Sequence, residues 1–207
     1  MADLLPLFPL NIVCFPNEPV NLHIFEPRYR QLINECWENN QTFGIPLFLD
    51  GKLMDIGTEM RVTERFKVYP DGEMDIKTLG LRPFKIEKFH KVVKDKLYSG
   101  GLVSYPEYDD QPNFDLEVQL RARLEQLFKL IGLKRSLDKI TSFDIAHYIG
   151  LTPKEEYQLL ATPKEEDRQT LLINHIDRIL PMIIRAQRIR DKLQMNGHFK
   201  NLDILDF

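Results

Sequence analysis

Cysteine is nearly absent: the 207 residues hold two, Cys14 and Cys36. That is too few for a disulfide framework or a Cys-rich zinc site, and two reduced, buried thiols are the expectation. No apolar run approaches the roughly 20 residues that a membrane helix needs. The chain opens Met-Ala-Asp rather than on a basic segment, and prolines 6, 9, 16 and 19 would break the helix of a signal peptide. A cytoplasmic protein is expected, with no membrane partner. Excess charge of one sign is also missing. Residues 1–110 carry 13 basic and 17 acidic side chains and the rest 15 and 14, for a net charge of -3. With a pI near 6.0 the chain has no global footprint for nucleic acid, so any such role requires a local patch.

Catalytic signatures are missing as well. Gly51-Lys52 is followed by Leu53, and Pro46 stands where a phosphate-binding loop would begin with glycine. Neither G-x-S-x-G nor H-E-x-x-H occurs. His23, His90, His147, His175 and His198 are scattered without ligand spacing, so no metal is expected. Ser136-Leu137-Asp138-Lys139 has the S-x-x-K form, but neither S-D-N nor K-T-G accompanies it, and it reads as a polar helix junction. No enzyme and no cofactor are expected.

What is present is a chain of ordinary globular composition, 43% hydrophobic and 29% charged. Up to about residue 110, short extended runs alternate with Pro and Gly: Leu4 to Phe8, Ile12 to Phe15, Val20 to Phe25, Phe43 to Leu49, Thr58 to Tyr69, Met74 to Leu81 and Phe84 to Tyr105. Pro70-Asp71-Gly72 predicts a hairpin turn between two of them. One helix interrupts the strands, with Pro27 in its first turn and Tyr29, Leu32, Ile33, Cys36 and Trp37 on one face.

After Pro112 the period becomes helical. Leu116, Leu120, Leu124, Leu127, Phe128 and Ile131 recur at intervals of three and four up to a stop at Gly132. "TPKEE" occurs at 152–156 and again at 162–166, and each copy reads as a capping box opening a helix. The second opens a long helix from about Pro163 towards Met195, kinked at Pro181. The fold class is therefore α+β, with a β domain over 1–112 and an α-helical domain with a tail over 113–207. The apolar tail "LDILDF" could imitate a bound peptide.

"LPLFPLNIVCFPNEPVNLHIFEPRYRQLINEC", followed by "FGIPLF", "IGTEMRV" and "DGEMDIKTLGLRPFKIE", resembles the amino-terminal domain of the Lon protease family, without its ATPase and protease domains. "DIAHYIGLTPKEEYQLLATPKEEDRQTLL" resembles that family's helical continuation. The resemblance implies a PUA-like antiparallel β pseudo-barrel with one capping helix, followed by an α-helical bundle. It also implies recognition of unfolded or extended polypeptide rather than catalysis, alone or with a separate protease or chaperone. Candidate binding residues are Phe8, Phe15, Phe25, Tyr29, Phe43 and Phe48. Glu26, Pro27 and Arg28 form a structural corner between strand and helix.

The alternative is RNA. Lys85, Lys88, Lys91, Lys94 and Lys96 are interleaved with Phe84 and Phe89, a composition that can track a phosphate backbone. The same run also reads as an edge strand guarded by lysines. The sequence leaves the oligomeric state open.

Overall fold

The computed structural model describes residues 4–138 and 140–199. Six strands come first: β1 (Leu4–Leu7), β2 (Pro19–Ile24), β3 (Phe43–Leu49), β4 (Lys52–Val68), β5 (Met74–His90) and β6 (Ser99–Ser104), with helix α1 (Pro27–Glu38) between β2 and β3. Four α-helices follow, α2 (Phe114–Ile131), α3 (Ser142–Ile145), α4 (Pro153–Leu160) and α5 (Glu165–Phe199), with a short 3-10 helix, Ala146–Tyr148, after α3. The "LDILDF" tail lies outside the described residues.

The strands run β2-β5-β4-β3-β1-β6, and β6 returns to pair with β5, so five strands close into a barrel with β2 flanking the first half of β5. All pairings are antiparallel except β1 with β3. β4 and β5, of 17 residues each, form a long hairpin. Its tip is the expected turn: Gly72 has φ 86°, and the Tyr69 and Glu73 backbones are bonded across it at 2.8 Å. β5 passes unbroken through Gly80 and Pro83, where the sequence suggests two strands. The lysine run is thus paired on both sides at Lys85, and only Ile86 to His90 has a single partner, β6.

The expected strand Ile12 to Phe15 does not form. Prolines 9 and 16, which flank it, cannot donate to a ladder, and the segment instead lies as an irregular strap over the sheet. Its backbone bonds go elsewhere: Thr58 Oγ1 donates to Cys14 O (2.5 Å), and Gly80 exchanges bonds with Asn17 and Glu18 (2.9 Å each). Gly80 is glycine for this reason, since a Cβ there would sit 2.1 Å from Phe15 O.

Three apolar clusters hold the molecule. Phe8, Phe43, Met60, Met74 and Ile76 meet Tyr29, Leu32, Ile33 and Cys36 of α1, and Phe84 packs with Leu5 and Leu7 inside the barrel. Val13, Phe15, Leu47 and Ile56 join the apolar faces of α2 to α5, so the helices share a core with the outside of the barrel. Phe15 stacks on Phe143 at 5.2 Å. The two TPKEE copies diverge. At Thr152 the capping box forms, with Thr152 accepting from Glu155 N–H (3.3 Å) and Glu155 accepting from Thr152 N–H (2.8 Å). In the second copy Thr162 donates to Gln158 O, and Pro163 O accepts from Asp109 N–H, so α5 starts only at Glu165. Tertiary bonds replace the cap. Pro181 lies inside α5.

Candidate functional site

The barrel is closed unevenly. β1 pairs with β6 at all four of its residues but meets β3 at one position, Leu7 opposite Gly44. Before that point the β3 side of Leu4, Leu5 and Pro6 faces a cleft of about 1100 Å³, open to solvent and reaching into the mouth of the barrel. The α1–β3 connection, Asn39 to Thr42, forms the opposite wall. Apolar lining comes from Leu4, Leu5, Val93 and Val103.

Two carboxylates organise its polar lining. Glu59, only 7% exposed at its side chain, accepts from Thr42 Oγ1 at 2.5 Å and from Arg82 Nε at 2.7 Å. Its place follows from register, because Gly44, Glu59 and Arg82 lie in one row across β3, β4 and β5. The Arg82 guanidinium lies on Tyr105, with Cζ 3.6 Å from the ring centroid. Glu35, from the last turns of α1, accepts from Lys96 Nζ (2.7 Å), the Tyr98 hydroxyl (2.6 Å) and Gln31 (3.0 Å). Burial alone would raise the Glu35 pKa, but the bonds from Lys96, Tyr98 and Gln31 outweigh it and lower it. The cleft therefore offers charged hydrogen-bonding groups beside apolar walls and a strand edge unpaired among the described residues.

The six aromatic residues picked from the sequence do not form a common surface. Phe8, Phe15, Tyr29 and Phe43 are buried, with Phe8 stacked on Tyr29 at 3.8 Å. They pack into the core under the strap and α1. Phe25 and Phe48 are exposed, at 57% and 43%. They lie at opposite ends of β4, Phe48 beside Leu53, and Phe25 just past Ile24, which pairs with Met74 next to Val68. From Leu53 to Val68 a strand spans about 50 Å, so one short ligand does not bridge them. At the corner, Glu26 O accepts from Arg30 N–H (2.9 Å), Pro27 opens α1, and Arg28 Nε donates to Glu26 Oε2 (2.9 Å). That pair is solvent-exposed and contributes about 0–1 kcal/mol.

The groups that line the cleft were invisible to pattern reading because they are scattered polar residues joined only by strand register. The alternation in "TEMRV" does set Glu59 apart from Met60, but not the face it takes.

A second polar cluster lies between α4 and α5, at a cavity of about 230 Å³. His175 is buried, with Nε2 at 2.9 Å from Ile149 O and Nδ1 at 2.9 Å from Arg178 Nη2. Arg178 also donates to Glu155. Burial would raise the Glu155 pKa, but bonds from the Thr152 backbone and Arg178 bring it down to about 2. Here the charges tie α4 to α5. Ser136 donates to Asp138, and Lys139 of the S-x-x-K form lies outside the described residues. Cys14 and Cys36 are buried, and burial pushes both thiols up to about 12. Among the described residues no helix is long and apolar enough to cross a membrane, and no cluster suits a metal ion.

The described residues form a closed β-barrel carrying helices, with an open cleft at its mouth. The ATP-dependent protease La (LON) substrate-binding domain family matches residues 4–178, and the chain belongs to that family. A Lon N-terminal domain protein from Xanthomonas campestris superposes with a TM-score of 0.67 at 27% identity, covering 83% of this chain and 98% of that one. The N-terminal domain of a Mycobacterium avium complex Lon protease shares the fold at TM-score 0.63 and 14% identity, covering 84% and 98%. The Lon protease of Cytophaga hutchinsonii is 23% identical over 92% of this chain, which spans 26% of that protein's length. The match is to the non-catalytic substrate-binding domain, and these 207 residues hold neither an ATPase nor a protease domain.

Proposed function

We propose that the chain binds exposed or extended segments of other polypeptides in the cleft at the barrel mouth. Membership of a substrate-binding family supports a recognition role, and one observation carries the location: among the described residues, the β1 edge at Leu4 to Pro6 runs along the cleft without a strand on its β3 side. An extended segment can lie along such an edge, bonding to the backbone of Leu4 since Pro6 has no N–H to give, and place side chains against Leu5, Val93 and Val103. The barrel is PUA-like in this reading and the helices form a bundle, with the division at 112/113. Phe25 and Phe48 serve as outlying contacts for longer chains, and a separate protease or chaperone receives the bound segment. Fluorescence anisotropy with labelled unfolded polypeptide should show saturable binding by tens of micromolar, and a flat titration there would remove the proposal.

RNA is the second reading. Lys85, Lys88, Lys91 and Lys94 form no ion pair among the described residues, which leaves their charges free for phosphate. Under it, reversing those four charges abolishes a salt-sensitive RNA complex; no RNA shift at low salt ends it.

A further inference from the structure

The charges in the cleft cancel, two carboxylates against Arg82 and Lys96, but the hydrogen-bonding capacity does not. Both oxygens of Glu59 are engaged within the wall, by Thr42 and Arg82, and Glu35 is engaged by Lys96, Tyr98 and Gln31. Arg82 donates Nε to Glu59, its only bond to a carboxylate among the described residues, and its side chain is 57% exposed. A guanidinium has five N–H donors, so apart from its contact with Tyr105 the fork of its two Nη groups is left for a ligand. That fork is fixed from two sides, by the bond to the sheltered Glu59 carboxylate and by the Tyr105 ring beneath it. A guanidinium held flat with its outer edge free matches a planar carboxylate through two parallel bonds, and ordering it in advance removes an entropy cost on binding.

We propose that Arg82 determines specificity, selecting extended polypeptide segments that carry an aspartate or glutamate side chain and gripping that carboxylate in the cleft. The inference rests on the polypeptide reading above. An internal acidic side chain fits better than a chain end, because the cleft is open and runs along the β1 edge, so a segment lying there continues past Arg82.

Three nine-residue peptides of Leu, Val and Ser, labelled with fluorescein at the amino terminus, test this. One has a central Glu and an amidated carboxyl end, the second has Gln in its place, and the third has the central Gln and a free carboxyl end. The wild type should bind the Glu peptide about tenfold more tightly than the amidated Gln peptide. Arg82→Lys keeps the charge but not the fork, and should cut the preference below about threefold. Tyr105→Leu keeps the Arg82–Glu59 pair and should give an intermediate preference, which covers the case in which circular dichroism shows Arg82→Lys to be misfolded. Equal affinity for Glu and Gln peptides, or a preference untouched by both substitutions, overturns the inference and leaves the polypeptide reading standing. A gain for the free carboxyl end equal to that for Glu also overturns it, by moving the carboxylate to the chain terminus. If none of the three binds, both fail together.

Discussion

His147 joins the barrel strap to the helices, and its removal has a calculable signature. Its Nδ1 lies 2.7 Å from Glu156 of α4, its Nε2 lies 3.1 Å from Glu18 of the strap, and its ring packs on Phe15 with centroids 5.0 Å apart. The bond to Glu156 and then the bond to Glu18 outweigh burial and lift its pKa from 6.5 to about 10. At 1.36 kcal/mol per pH unit the full shift has a ceiling on the order of 5 kcal/mol. The side chain is 36% exposed, so solvent screening reduces this to about 1–2 kcal/mol. A histidine whose pKa is raised on folding contributes its full stabilisation below the unfolded value near 6.5, and loses it as pH rises through the folded value near 10. His147→Gln keeps some of the packing and removes the charge. Urea unfolding of wild type and variant at pH 6, 8 and 10 should show a stability difference of about 1–2 kcal/mol at pH 6 that is smaller at pH 8 and gone by pH 10. A difference that stays constant or grows over that range would refute the ionic clamp.

The two TPKEE copies should respond differently to the same change: Thr152→Ala costs about 1 kcal/mol in urea unfolding through the lost cap, and Thr162→Ala stays within about 0.5 kcal/mol. Arg168 is fully buried, bonded to Glu165 (2.8 Å), Asp110 (2.5 Å) and the Thr162 and Pro163 carbonyls. Arg168→Met strands the buried Glu165 carboxylate and should cost about 3–5 kcal/mol, with Glu165→Gln in the same chain restoring part of it. Gly80→Ala drives a methyl into Phe15 O and should lower stability by about 1–3 kcal/mol by thermal melting, with no change if the strap can lift away.

The fold was largely legible wherever local signals agree with tertiary ones. β3 is read to the residue at Phe43–Leu49, α1 begins at Pro27, and α2 stops at Gly132 in a left-handed conformation with φ 73°. It was illegible where distant backbone overrules local preference. Gly80 and Pro83 look like breaks, yet β5 continues through them because Gly80 admits Phe15 O from above and Pro83 lies in register with Thr58. The candidate site was harder still. Aromatic residues dense enough to mark the family are mostly core, since filling a barrel needs large apolar side chains. Glu35, Glu59, Arg82 and Tyr105 come from four separate segments, and nothing in the linear order brings them together.

The most direct test is amide chemical-shift mapping of ¹⁵N-labelled protein during titration with an unlabelled extended peptide. Binding in the cleft predicts shifts concentrated at Leu4 and Leu5, Asn39 to Thr42, Tyr98, Val103 and Tyr105. Shifts absent from those residues and gathered at Phe48 to Leu53, or along Lys85 to Lys94, would contradict it.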